Sequence, residues 1–187
     1  MNKTKTKLAL FDLDGTLFDT GGVNYYSYKS ALEPYGVSLD EEYFRNRCNG
    51  RHYTEFVPII LGSTAQLESV HKAKKAAYAK NLDKARINSC LFDIIRGLKE
   101  KYYCAVVTTA SYQNTTDILL YFKVKDLFDL IITQENITKT KPDPEGFLMA
   151  MAHFNIPAKN TVIFEDSDVG IQAAQASGAS VFVVNQF

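Results

Sequence analysis

The chain has no tryptophan, only three cysteines and three histidines, five prolines, and no net charge at neutral pH. Each shortage excludes something. Cys48, Cys90 and Cys104 are odd in number, and their spacings match neither a disulfide framework nor a zinc motif. They read as reduced thiols in a cytoplasmic protein. With Lys and Arg balanced by Asp and Glu, and no basic stripe interleaved with aromatics, nucleic acid is not expected as a partner. No apolar run approaches the length of a membrane span. The N-terminus carries Lys3, Lys5 and Lys7, but the apolar stretch behind them runs only from Leu8 to Phe11. That is too short for a signal peptide. No membrane association is expected, and the chain reads as a monomer or weak dimer.

What is present is a rhythm. Short, wholly apolar runs recur at Leu8–Phe11, Cys104–Val107, Leu130–Ile132, Val162–Phe164 and Val181–Val184. Such runs suit strands buried on both faces of a parallel sheet. Helical patterns lie between them: Ser89–Tyr102, Thr115–Phe122, Glu145–Phe154 and Val169–Ser177. Alternation of this kind predicts an α/β fold, a Rossmann-like doubly wound parallel sheet. Residues 18–87 break the rhythm with helical patterns at about Asn24–Tyr35, Asp40–Asn49 and Thr64–Leu82, and with Pro34 and Pro58 as interruptions. The expected organisation is therefore an α/β core of residues 1–17 and 88–187, with a small helical insert of residues 18–87 after the first strand. The insert is slightly basic, with 10 Lys and Arg against 8 Asp and Glu, as would suit an anionic substrate.

Open α/β sheets bind ligands beyond the carboxyl ends of their strands. There the chain places Asp12-Leu13-Asp14-Gly15-Thr16, then Thr108, Thr109, Ala110 and Ser111, then Lys141-Pro142, then Glu165-Asp166-Ser167. Carboxylate oxygens suit a hard cation such as Mg2+, which keeps waters and takes substrate phosphate as a ligand. Asp12, Asp166 and Glu165 would supply oxygens. Four crowded acids repel one another, and a divalent ion with Lys141 removes that cost. Lys141 and Thr108 would face the oxygens of a phosphoryl group. The bland readings are turn formation by Asp12 and Asp14, helix capping by Thr108 and Ser167, and a solvated loop for Lys141.

These segments together resemble the haloacid dehalogenase-like phosphatases. Phe11–Leu17 resembles that family's first motif, Thr108 its second, Lys141 its third, and Glu165–Ala174 its fourth. The resemblance implies a Mg2+-dependent phosphomonoester hydrolase acting on a small phosphorylated metabolite. Asp12 would be the nucleophile that becomes an aspartyl phosphate. Asp14 would be the general acid and base, lending its backbone carbonyl to the metal. Thr108 and Lys141 would hold the phosphoryl oxygens, while Asp12, Asp14, Glu165 and Asp166 would hold the ion. Thr109, Asn24, Arg51 and His52 are the candidate substrate contacts, and the insert corresponds to a mobile cap. Sugar-phosphate mutases of this family carry a histidine shortly after the first motif, where this chain has Asn24. A mutase is thus the alternative enzyme, and an idle phospholigand-binding domain the alternative from outside enzymology. Relatives usually add another strand or helix after the segment matching Val181–Asn185, so an exposed sheet edge is expected before Phe187.

Overall fold

The computed structural model describes residues 5–185; Lys3 and Phe187 lie outside them. In chain order the elements are β1 (Lys7–Phe11), β2 (Phe18–Asp19), α1 (Gly21–Leu32), α2 (Glu41–Arg47), α3 (Tyr53–Leu61), α4 (Leu67–Tyr78), β3 (Arg86–Ile87), α5 (Ser89–Leu98), β4 (Tyr102–Val107), α6 (Tyr112–Tyr121), β5 (Leu130–Ile132), α7 (Glu145–Phe154), β6 (Thr161–Glu165), α8 (Asp168–Ala176) and β7 (Ser180–Val183). The chain divides into two compact units, one reaching Asp19 and resuming at Ile87, the other spanning Thr20–Arg86.

The first unit is an α/β fold. Its five strands pair in the order β5-β4-β1-β6-β7, and every pairing is parallel. From β1 the sheet is built outward on one side through β4 and β5, then on the other through β6 and β7. Strand order therefore reverses at β1, and its carboxyl end is the point where a crevice opens. The central strands are apolar in Leu8–Phe11, Cys104–Val107 and Ile163–Phe164, all buried, because both faces of the sheet are covered there. Leu8, Leu10, Ala105, Val107, Ile132 and Ile163 pack with Phe147, Ala150 and Met151 of α7 and with Ala173 and Ala174 of α8. Helix starts are set by short polar side chains: Asn88, Ser111 and Ser167 each accept a backbone N–H from the first turn of α5, α6 and α8. Strand β7 forms one edge of the sheet, with Phe182 and Val183 exposed.

The second unit is helical and is held by rings. Tyr25, Tyr28, Leu32, Phe44, Phe56 and Val70 are buried together. Tyr28 and Phe56 meet edge to face at 5.0 Å, and Phe44 and Phe56 at 6.2 Å. The hydroxyl of Tyr25 donates to the Leu39 carbonyl at 3.2 Å.

Two expectations need correcting. Pro58 does not end a segment; it lies inside α3, a helix the sequence pattern did not show. Proline removes one helical hydrogen bond, and the burial of Phe56 and Val57 in the aromatic cluster compensates. Helix α5 stops at Leu98 rather than Tyr102, because Tyr102 and Tyr103 belong to β4. All three cysteines are free, with Cys48 and Cys104 buried and Cys90 exposed. No helix of the described residues is long and apolar enough to cross a membrane.

Candidate active site

Asp12 follows the last residue of β1 and is tied to the neighbouring strand by its N–H, which donates to the Phe164 carbonyl at 3.0 Å. The next residues turn sharply. Gly15 has φ +91°, and its N–H donates to the Phe18 carbonyl at 2.7 Å. A β-carbon at Gly15 would stand 2.1 Å from Asp166 Oδ2. Only glycine admits both the dihedral angle and the approach. The Thr16 hydroxyl donates to Asp166 Oδ1 at 2.7 Å, so this turn grips the acid that follows β6.

Lys141 sits at the centre. Its Nζ donates to Asp12 Oδ1 at 2.5 Å, to Glu165 Oε1 at 2.6 Å and to the Val107 carbonyl at 3.3 Å. Three strands thus converge on one ammonium: β1 through Asp12, β4 through Val107, β6 through Glu165. Glu165 is fully buried, and its Oε2 accepts the N–H groups of Asp166 and Ser167 and the Ser167 hydroxyl. Gly170 makes room for that carboxylate, since a β-carbon there would lie 1.8 Å from Glu165 Oε1.

Charge is the dominant fact here. Burial pushes the Asp12 carboxyl well above the usual range, with Lys141 opposing and Glu165 reinforcing the shift. Burial also raises Asp166. Lys141 is raised despite its own burial, because Asp12 and Glu165 face it. Ligand oxygens of Asp12, Glu165 and Asp166 lie within 4.8 Å of one another. With all three carboxylates ionised against one ammonium the site would carry two negative charges, a sum that a divalent cation would balance. The donor set is all oxygen and fits a hard cation.

Thr108 is buried at the end of β4, and its Oγ1 accepts the Ala110 N–H at 3.0 Å. It does not cap α6; Ser111 does, accepting the Asn114 N–H at 3.3 Å. Ser167 caps α8, accepting the Gly170 N–H at 3.1 Å. Thr109 is exposed in the loop after β4. Asp14 lies in the turn after Asp12, in a bridge with Phe18. Asp12, Lys141, Glu165 and Asp166 are therefore directly linked. Asn24, Arg51 and His52 lie in the Thr20–Arg86 unit. There the Asn24 amide donates to Thr20 Oγ1 at 3.4 Å, and His52 Nδ1 is 2.7 Å from Thr54 Oγ1. The sequence reading missed Thr16 as a partner of Asp166 and the steric roles of Gly15 and Gly170. All three stand inside the quoted motifs, and a hydroxyl or glycine close to a candidate site acid was the available signal.

A family profile described as haloacid dehalogenase-like hydrolase matches residues 9–184. The chain is 30% identical over 177 residues to validoxylamine A 7'-phosphate phosphatase of Streptomyces hygroscopicus, covering 92% of this chain and 82% of that protein. It is 27% identical to the phosphorylated carbohydrates phosphatase of Thermotoga maritima, covering 90% and 80% respectively. It is 26% identical to the beta-phosphoglucomutase of Bacillus subtilis, over 96% of this chain and 84% of that one. Among solved structures, CbbY from Rhodobacter sphaeroides in complex with phosphate superimposes with a TM-score of 0.84 at 23% identity, covering 97% and 87%. That last likeness speaks for the fold.

Proposed function

This chain belongs to the haloacid dehalogenase-like hydrolases, and we propose that within that family it hydrolyses phosphate monoesters of small carbohydrate-like metabolites, with Mg2+ as its metal. One observation carries the reading: a buried lysine joins the acid after β1 to the acid that ends β6, beside a third acid, at the point where strand order reverses. The phosphatases named above supply the substrate class.

In this reading Asp12 attacks phosphorus through a carboxylate oxygen. The ester oxygen leaves with a proton from the Asp14 carboxyl, and an aspartyl phosphate forms. Water then attacks that phosphorus, Asp14 takes its proton, and Asp12 and inorganic phosphate are released. Lys141 and Thr108 hold the phosphoryl oxygens. Lys141 also serves the nucleophile: an ammonium against Asp12 favours the ionised carboxylate that burial opposes. Asp12 and Asp166, with Glu165 and the Asp14 carbonyl, would hold the metal, which supplies positive charge to the phosphoryl group. The unit Thr20–Arg86 acts as the cap, and Asn24, Arg51, His52 and Thr109 contact the substrate.

The test is phosphate release from p-nitrophenyl phosphate. EDTA should abolish it and Mg2+ should restore it; full activity after thorough chelation would overturn the metal assignment. No turnover with any metal would favour an idle binding domain. The mutase alternative draws on the likeness to beta-phosphoglucomutase. Against it stands Asn24, whose amide does not titrate near neutral pH. Incubation with a hexose 1-phosphate, catalytic hexose bisphosphate and Mg2+ should yield free phosphate faster than hexose 6-phosphate. The reverse order would promote the mutase.

A further inference from the structure

The loop that delivers Lys141 is bound from the start of α7 by an acid that the chemistry above leaves unused. Glu145 opens α7, yet its carboxylate turns back toward the preceding loop. Its oxygens accept the Thr138 N–H at 3.2 and 3.1 Å, the Lys139 N–H at 2.5 Å, and the Thr138 hydroxyl at 3.1 Å. Asp143 Oδ1 accepts the Glu145 N–H at 3.0 Å, and the Asp143 N–H donates to the Thr140 carbonyl at 3.0 Å. Lys139 Nζ lies 3.7 Å from Asp143 Oδ2. These bonds close the segment from Thr138 to Glu145 into a turn, and Lys141 projects from it.

The turn is also anchored at its far end. Gly146 follows Glu145, and a β-carbon there would lie 2.9 Å from Val107 Cγ1, so α7 begins directly against β4. Val107 is the residue whose carbonyl accepts from Lys141 Nζ. A carboxylate at the start of a helix is ordinarily favoured by the helix's own field. Here both oxygens are spent upstream instead, on donors two and three residues before the lysine. The donors in turn hold the Glu145 carboxyl below the usual range, led by the Lys139 and Thr138 N–H groups.

We propose that Glu145 is a positioning residue for Lys141: it fixes the turn from which the lysine reaches Asp12 and Glu165. The inference rests on the reading of Lys141 as a phosphoryl ligand. Bonds between a carboxylate and backbone N–H groups are about twice as strong as neutral ones. Without them the turn relaxes, and a displacement of about 1 Å at a reacting group costs on the order of 10²-fold in rate.

A double-mutant cycle tests this. Phosphate release from a radiolabelled monoester, sensitive enough for slow variants, gives kcat/KM with Mg2+ for the wild type, Glu145→Ala, Lys141→Ala and the pair, alongside melting temperatures. Glu145→Ala alone should lose ~10–100-fold in kcat/KM while still melting cooperatively. In the Lys141→Ala background the same change should cost nothing further, because the group it positions is gone. Glu145→Gln, which keeps one accepting oxygen, should fall between wild type and Glu145→Ala. It also replaces alanine throughout the cycle if Glu145→Ala fails to fold. Equal losses in both backgrounds, or wild-type kcat/KM in a folded Glu145 variant, would overturn the proposal. A Lys141→Ala enzyme with wild-type turnover would instead overturn the reading of the site itself.

Discussion

The two units solve opposite problems. The sheet unit buries charge: Asp12, Lys141 and Glu165 are almost wholly out of solvent, and each is held by hydrogen bonds from elements far apart in sequence. The helical unit buries rings instead, in the cluster of Tyr25, Tyr28, Phe44 and Phe56, and none of its Lys, Arg, Asp or Glu residues is buried. Buried charge tolerates little change in geometry, because an unpaired ion is costly. Packed rings tolerate more, because dispersion and burial are non-directional. The contrast suits a fixed chemistry in one unit and an adaptable surface in the other.

Four substitutions would break or sharpen that contrast, the first with the largest effect. Asp12→Asn should remove turnover and leave the fold in place, since an amide is nearly isosteric with the acid but is a poor nucleophile. Circular dichroism paired with phosphate release checks both halves; near-normal rates would rule out the aspartyl phosphate. Asp14→Asn should slow turnover ~10²–10⁴-fold through lost proton transfer. Esters with better leaving groups should narrow that gap, and a constant gap would speak against the acid role. Phe56→Ala, by contrast, should lower stability by about 3–5 kcal/mol, read by urea denaturation. Residual turnover of the still-folded fraction should remain easily measurable.

The smallest effect concerns His71 in the helical unit. Its ring stacks on Tyr53 at 3.8 Å, and burial together with Lys75 and Lys74 lowers its pKa to about 4. The folded state therefore favours the neutral ring. Its contribution to stability is full above the ordinary histidine value of ~6.5 and is lost as pH falls toward about 4. Replacing His71 by Gln should flatten the stability profile across that window. An unchanged slope would mean the ring is solvated in solution.

Much of the architecture was legible because its signals are local. All five strands of the large sheet fall on apolar runs, with ends differing by one or two residues, and α7 matches its pattern from Glu145 to Phe154. Helix α3 was not legible, because Pro58 reads as a break unless the burial of Phe56 and Val57 is known. The two-residue strands β2 and β3 are too short to carry a periodicity. At the site, the strand-end rule pointed to the acids, which follow apolar runs closely, while Lys141 stands beyond a loop and was picked out by its place in the series of motifs. It could not show the Lys141 hydrogen bonds to both Asp12 and Glu165, nor that the Val107 carbonyl completes them, because those pairings span 129, 24 and 34 residues. The grip of Thr16 on Asp166 crosses 150 residues and was equally invisible.

The glycines at 15 and 170 carry one more consequence. Each leaves a space the size of a single methyl group, and in each case that space is filled by a carboxylate from β6 or the residue after it. The fingerprint of this candidate site is thus written as much in missing atoms as in its acids and its lysine. A sequence keeping Asp12, Lys141, Glu165 and Asp166 but carrying alanine at either glycine would retain every functional group and lose the arrangement. Library designs that vary the chain while holding only the acids and the lysine constant should therefore recover few active members. Holding those two vacancies constant as well should restore the yield.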